Sequence, residues 1–217
     1  MIDFPYKKLD TFIRGLAGTH NFTYEETIFV ESFVNERARQ AYTATSFWPR
    51  YLKVGIEKTI ESGPDGGKFV TLDEGTVVVM INEGHPFRNA PAPVVEYYTE
   101  QNTAQLIDVT SGLTSVNVTY KLPLQPIYKE KDSPVPEEFF YFLGHGAYAD
   151  FLRMDGQTEK ATVEESFANR FLQNELATPG VLNNAQHFSV GANLMMIAML
   201  AYQQEFDELN MAVNLFQ

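Results

Sequence analysis

The chain has 217 residues, of which 44% are hydrophobic and 20% are charged, a composition typical of a globular protein with a sizeable core. Its formal net charge of −12 argues against tight wrapping around a phosphate backbone, because that needs clustered lysine and arginine. The absence of cysteine excludes disulfides, thiolate nucleophiles and cysteine-based zinc sites. The N-terminus has no signal-peptide pattern, and the longest apolar run, residues 194–202, is far shorter than the ~20 residues of a membrane-spanning helix. We therefore expect a soluble chain without a membrane partner.

Two helices are predicted in the first 49 residues. Residues 6–17 carry apolar side chains at helical spacing, which predicts the first helix. Thr23 and Glu26 have the spacing of a capping box, in which a hydroxyl and a carboxylate each accept a backbone N–H at the start of a helix. Pro49 disfavours helical geometry at the residue before it, so the second helix is expected to end near Phe47.

The pattern changes from helical to strand-like between residues 50 and 122. β-branched and aromatic residues alternate with polar ones, and turn residues separate the stretches. The predicted strands are residues 51–57, 68–72, 76–82, 94–100, 104–109 and 115–122. Residues 63–67, Gly-Pro-Asp-Gly-Gly, are not followed by the Lys-Ser/Thr pair of a phosphate-binding loop and are typical of a hairpin turn. Residues 123–133 are interpreted as a proline-rich, charged linker.

Two further helices are predicted between residues 134 and 176, separated by Asp155-Gly156-Gln157. Gly144 and Gly146 lie inside the first of them, where each costs ~1 kcal/mol of helix stability, so we expect another backbone to approach closely there. Residues 178–180 are expected to end the second helix. Its buried side is predicted to consist of Val163, Phe167, Ala168, Phe171, Leu172 and Leu176.

The last segment, residues 181–217, is unusually apolar. Residues 193–208 favour a helix, and the terminus beyond them is hydrophobic enough to promote aggregation if left free. We therefore expect it to be buried against a neighbour or a partner. The predicted fold is α+β, a helical bundle core of four to five helices with an inserted antiparallel β unit and an extended C-terminal segment. The predicted domains are the helical core (residues 1–49 and 134–180), the β insertion (50–122), the linker (123–133) and the C-terminal docking segment (181–217).

The sequence gives little support for a catalytic function. The histidines lie far apart without the spacing of metal ligands, and His145, between two glycines, is interpreted as a packed histidine. Adjacent carboxylates such as Glu137 and Glu138 lie in first helical turns, where the helix dipole favours negative charge. Arg37 and Arg39 are interpreted as a solvated or inter-subunit salt-bridge face rather than a DNA contact. We expect no enzymatic activity and no cofactor or metal; a hydrolase or ligand-binding domain using His145 and Glu138 remains an alternative.

A resemblance to a known family rests on two parts of the chain. The first part is the run Phe33-Val-Asn-Glu-Arg-Ala-Arg-Gln-Ala-Tyr42, closed by Phe47-Trp48-Pro49. The second part comprises Val135-Pro-Glu-Glu-Phe139, Ala147-Tyr-Ala-Asp150, Leu152-Arg153, Asp155-Gly-Gln157 and Lys160-Ala161. Over about residues 5–176 the chain thereby resembles the head-to-tail connector, or adaptor, proteins of tailed bacteriophages, in which a β insertion also follows the second helix.

The resemblance implies a structural virion protein, assembled in the host cytoplasm, that forms a ring, usually of twelve subunits, beneath the portal protein in the neck. Such a ring extends the channel for double-stranded DNA without sequence-specific binding and docks the tail or the next neck protein. By analogy, the residues expected to dock on the portal are Phe206, Leu209, Met211, Val213, Leu215 and Phe216. The residues expected at the subunit interface are Arg37, Arg39, Trp48, Gly144 and Gly146. A tail terminator or another neck or tail-tube component is the structural alternative, which a strand-dominated chain would favour.

Overall fold

A computed structural model describes residues 2–18, 22–88, 93–129 and 132–188. Helices and antiparallel sheets confirm the predicted α+β class. The helices are α1 (Tyr6–Ala17), α2 (Tyr24–Thr43), α3 (Phe140–Met154), α4 (Thr158–Leu176) and α5 (Pro179–Phe188), with a short 3₁₀ helix, Glu137–Phe139, before α3. The strands are β1 (Asp3–Pro5), β2 (Leu52–Thr59), β3 (Glu61–Ser62), β4 (Lys68–Thr71), β5 (Val77–Asn82), β6 (Glu96–Glu100), β7 (Thr103–Ile107), β8 (Ser115–Lys121) and β9 (Pro134–Pro136).

Helix α3 lies at the centre of the helical unit and packs against α1, α2 and α4. It is buried on most of its circumference, because neighbours cover it on several sides. Its buried residues are Phe140, Phe142, Leu143, Gly144, Gly146, Ala147, Ala149 and Leu152. Helices α1 and α2 bury the apolar stripes that the sequence predicts, among them Leu9 and Ile13 on α1 and Val34 and Ala38 on α2.

The predicted end of α1 and the predicted start of α2 follow from local chemistry. α1 ends where Gly18 adopts the left-handed region with φ of 65°, which glycine enters without steric cost. The capping box at the start of α2 is confirmed: Thr23 N–H donates to Glu26 Oε2 at 2.7 Å, and Glu26 N–H donates to Thr23 Oγ1 at 3.2 Å.

Helix α2 ends at Thr43 rather than near Phe47, which corrects the prediction made from Pro49. Side chains from outside the helix take over its last carbonyl groups. Lys121 donates to the carbonyls of Tyr42 and Thr45, and Trp48 donates its indole N–H to the Ala41 carbonyl at 2.9 Å. The chain therefore turns away one helical turn earlier than proline alone requires.

The β unit between the helices consists of two antiparallel sheets with strand orders β2-β8-β5 and β3-β4-β7-β6. Every strand predicted between residues 51 and 122 overlaps an observed strand, and residues 63–67 form the predicted hairpin turn between β3 and β4. The sheets share a second hydrophobic core, which includes Val70, Ile81, Ala104, Val116 and Val118. The pairing of β1 with β9 was not predicted, since these strands are only three residues long.

The connection between the β unit and α3 is tied to the helical unit, although its composition suggested a linker. Asn35 on α2 donates to the Ile127 carbonyl at 2.8 Å and accepts the Ile127 N–H at 2.9 Å. The Ile127 side chain is 2% exposed. This reciprocal pair acts like one step of a β ladder, so the connection is held against α2.

Helix α5 was not predicted, because Thr178-Pro179-Gly180 was interpreted only as a stop. Proline also suits the first turn of a helix, where its missing N–H needs no partner, and α5 begins at Pro179. Val181 belongs to the helical core, and the ring of Phe188 stacks on Phe47 with centroids 6.3 Å apart. The first ten residues after Thr178 therefore belong to the helical unit.

Candidate assembly interface

Arg37, in the second half of α2, forms two bidentate ion pairs inside the helical unit. Its Nε and Nη2 donate to Asp150 on α3, both at 2.7 Å. Its Nη1 and Nη2 donate to Glu165 on α4 at 2.8 and 2.6 Å. Arg153 donates to the same two carboxylates at 2.9 and 3.1 Å. These four residues, called here the Arg37 cluster, join α2, α3 and α4, and their two positive and two negative charges cancel.

The electrostatics of the Arg37 cluster favour its charged form. Burial lowers the pKa of Arg37, but hydrogen bonds to Asp150 and Glu165 outweigh it, and the pKa lies above its ordinary value. Burial raises the pKa of Glu165, yet Arg37 and then Arg153 hold it below its ordinary value. The guanidinium fork matches two carboxylates at once, and the Arg37 side chain is only 7% exposed. The cluster therefore holds three helices together.

The two glycines of α3 are contacted closely, but by side chains of the same chain. A Cβ at Gly146 would lie 2.9 Å from Cδ of Arg37, and a Cβ at Gly144 would lie 2.4 Å from Cδ1 of Phe12. Both separations are shorter than carbon atoms tolerate. The predicted close approach of another backbone is therefore wrong, because side chains of α1 and α2 occupy the space beside these glycines.

Trp48 is part of the hydrophobic core. It is 1% exposed, and its ring meets that of Phe139 edge-on with centroids 5.0 Å apart. Arg39 differs: its side chain is 69% exposed and pairs with Glu36 one helical turn away, at 2.8 Å.

Of the five residues expected at the subunit interface, Arg37, Trp48, Gly144 and Gly146 are buried among residues of their own chain, and their role in a subunit interface remains a prediction. An interface role for Arg39 remains a prediction. The expected portal-docking residues, Phe206, Leu209, Met211, Val213, Leu215 and Phe216, lie outside the described residues.

His145 and Glu138, the residues of the enzymatic alternative, each have a different partner. His145 Nδ1 lies 2.7 Å from Glu164 Oε2, and its ring stacks on Phe171 with centroids 5.4 Å apart. Glu138 accepts a hydrogen bond from Arg50 Nε at 2.6 Å. The interpretation of His145 as a packed histidine is confirmed. Within residues 2–18, 22–88, 93–129 and 132–188, no group of histidines and carboxylates is arranged to hold a metal ion.

Lys121 on β8 connects the β unit to the end of α2, a contact that the sequence did not predict. Its ammonium group donates to the Thr45 carbonyl at 2.7 Å and lies 3.5 Å from the centre of the Tyr42 ring. Burial lowers the pKa of Lys121 to about 8. The carbonyl end of a helix favours a cation, so Lys121 is suited to this position.

Helix α4 exposes apolar side chains that the sequence analysis assigned to its buried side. Val163 and Phe167 are 55% and 44% exposed, so that part of the prediction is wrong. The face turned toward α3 instead runs through Ala161, Glu165 and Ala168, because Glu165 points at Arg37. Val163 and Phe167 stay partly exposed beside this face, although the centroid of the Phe167 ring lies 5.6 Å from that of His145 on α3.

No helix in the described part of the chain is both long and apolar enough to cross a membrane. Compared with known proteins, the chain matches no protein-family model and no curated protein sequence. What the contacts define is an α+β protein whose polar clusters hold its own elements together and whose helical unit carries exposed apolar side chains.

Proposed function

We propose that the chain is a head-to-tail adaptor of a tailed bacteriophage, a structural and non-enzymatic protein that forms a ring beneath the portal protein. One observation carries the proposal: the two parts of the chain that resemble the adaptor family pack against each other. Arg37 of the first part pairs with Asp150 of the second at 2.7 Å, and Trp48 meets Phe139. The resembling residues thus form one packing unit rather than scattered matches, which supports a relationship to that family.

Exposed apolar side chains on the helical unit agree with a subunit that buries surface on assembly. Besides Val163 and Phe167 on α4, Tyr24 and Ile28 on α2 are 82% and 50% exposed and lie one helical turn apart. A large exposed apolar area is costly for a monomer and is normal for a protein that assembles. These side chains supply the kind of surface that a ring-forming subunit needs.

The proposed partners are the portal protein on one side and the tail or the next neck protein on the other. The ring, of twelve subunits, is assembled in the host cytoplasm and resides in the neck of the virion. Double-stranded DNA passes through its channel without sequence-specific contact. The net charge of −12 suits this passage, because an acidic wall repels phosphates rather than retaining them.

The first test is the symmetry of the purified assembly, measured by native mass spectrometry and by electron microscopy of isolated rings. Twelve subunits per ring is the expected result. A sixfold ring would favour the tail-terminator or tail-tube alternative instead.

The second test uses phage particles whose copy of the chain ends before Leu209. We expect particles that fail to attach tails and lose their DNA. The control replaces Asn210 and Asn214 with serine, which keeps every apolar residue of the segment and should leave assembly normal. Truncated particles with normal tails and retained DNA would contradict portal docking by this segment.

A further inference from the structure

A groove with an apolar floor and a basic rim lies between α1 and α3. Its floor is formed by Phe12, Phe140 and Tyr141, Lys7 and Lys8 stand on its α1 side, and its volume is about 480 Å³. Tyr141 is 50% exposed even though its ring meets Phe12 edge-on with centroids 5.7 Å apart. The groove therefore offers aromatic surface to a ligand without any rearrangement of the helices.

The rim of this groove is positively charged. Lys7 and Lys8 are both exposed, and the ammonium of Lys8 lies 3.3 Å from the centre of the Phe4 ring. Within the described residues, neither lysine forms an ion pair with a carboxylate, whereas Arg14 on the same helix pairs with Asp10 at 2.8 Å. An apolar floor beside two ammonium groups that have no carboxylate partner among the described residues fits a ligand that combines apolar side chains with carboxylates.

The C-terminal segment of this chain has that combination. Residues 189–217 contain no lysine or arginine, and their only charged side chains are Glu205, Asp207 and Glu208. Large apolar residues recur in steps of four and three, a spacing that favours an amphipathic helix. They are Tyr202, Phe206, Leu209, Val213 and Phe216. The three carboxylates fall within the first half of this run in the sequence.

The segment is long enough to reach the groove of its own chain. Val181 on α5 and Tyr141 line one pocket, and Tyr141 also lines the α1–α3 groove. From Val181 to the end of α5 at Phe188, the helix spans roughly 10 Å. Residues 189–202 can extend up to roughly 45 Å, several times the roughly 10 Å between Val181 and Phe188.

We propose that residues 202–216 dock in the α1–α3 groove of their own chain, with the apolar stripe on Phe12 and Tyr141 and the carboxylates toward Lys7 and Lys8. This docking does not depend on the proposed function. One consequence of the docking does depend on the proposed function: the same apolar residues cannot bind the groove and the portal protein at once. In an adaptor, the groove therefore covers the portal-docking residues until the portal competes for them, which protects the free subunit from aggregation.

Hydrogen exchange on the full-length chain tests the docking at a concentration where it is monomeric. The K7E/K8E variant reverses the charge of the rim, and we expect amides of residues 202–216 to exchange at least about tenfold faster than in the wild type. K53E/R88E is the matched control: both residues are exposed, it changes the net charge equally, and it should leave the exchange unchanged.

The segment offers an independent variant that leaves every residue of the helical unit unchanged. E205K/D207K/E208K should accelerate exchange of residues 202–216 as K7E/K8E does, and the chain carrying both sets of reversals should regain slow exchange. Three results would each overturn the proposal: fast exchange of residues 202–216 in the wild type, an effect of K53E/R88E equal to that of K7E/K8E, or no return of slow exchange in the chain with both sets of reversals. Protection that vanishes on dilution would assign the groove to a second copy and overturn docking within one chain. A protected segment in a chain that forms no ring would support the docking and contradict the proposed function alone.

Discussion

Replacing Arg37 with methionine tests whether the Arg37 cluster holds α2, α3 and α4 together. Methionine retains a flexible apolar stem and removes the guanidinium group, so four hydrogen bonds of 2.6 to 2.8 Å are lost. Asp150 and Glu165 then face each other with only Arg153 to balance them. Breaking a buried ion pair costs about 3–5 kcal/mol of unfolding free energy. The two carboxylates are 21% and 23% exposed, which reduces the expected loss to about 2–4 kcal/mol at neutral pH.

The loss caused by R37M should depend on pH in a defined direction. The folded-state pKa of Glu165 lies below its ordinary value, so its contribution is present above the unfolded pKa and disappears as pH falls through the folded pKa. R37M removes Arg37, the main cause of this lowered pKa, so the variant lacks most of that contribution. The difference in stability from wild type should therefore stay nearly constant above about pH 5 and shrink as pH falls below about 4.3, the ordinary pKa of a glutamate.

Urea denaturation followed by circular dichroism, at one fixed protein concentration, measures these differences. The triple variant R37M/D150N/E165Q removes the uncompensated charges together with the arginine and should recover at least half of the loss. R39M removes an exposed arginine of the same helix and should change stability by less than about 0.5 kcal/mol. A loss below about 1 kcal/mol for R37M, or a loss independent of pH, would show that the Arg37 cluster does not hold the three helices together.

Two further variants test close packing and the link between the units. G144A places a Cβ 2.4 Å from Cδ1 of Phe12, so overpacking should outweigh the gain in helix propensity and lower the unfolding free energy by about 1–2 kcal/mol. G15A, whose Cβ meets nothing within 4 Å, should raise it by up to about 1 kcal/mol in the same urea titration, and equal effects would contradict the packing argument. K121M removes the lysine that links the two units. In the folded wild type Lys121 loses its proton near pH 8, whereas in the unfolded chain it does so at higher pH. The free energy of unfolding of the wild type relative to K121M should therefore rise between about pH 8 and 10. A difference that stays constant over this range would show that burial does not control the Lys121 charge.

The parts of the fold that the sequence predicts correctly are those decided by neighbours in the chain. The capping box of Thr23 and Glu26 spans three residues, and the turn at residues 63–67 closes on itself. Such features need no knowledge of the rest of the molecule. The start of α5 was missed for a related reason: Pro179 permits both a helix end and a helix start, and only packing of the following residues on the core distinguishes them.

The partners of Arg37 could not be predicted, because they lie 113 and 128 residues away along the chain. The burial of Arg37, however, left a signal in the sequence. Val30, Val34, Arg37 and Ala41 follow one another in steps of four, three and four, so the arginine stands on the buried stripe of its helix. An arginine on such a stripe requires carboxylates, and the sequence alone does not say which ones.

The Arg37 cluster also explains which surface the helical unit presents. By hydrophobicity, Val163 and Phe167 are as suitable as Ala161 and Ala168 for packing against α3. Apolar packing alone would therefore leave the rotation of α4 about its axis weakly determined. The bidentate pair with Glu165 removes that freedom, and Gly146 makes room for the guanidinium that forms it. We infer that the buried charges keep α4 in one orientation, in which its larger apolar residues face outward and stay available for assembly. R37M should therefore change that surface as well as stability, because α4 without its ion pair is free to turn Val163 and Phe167 inward.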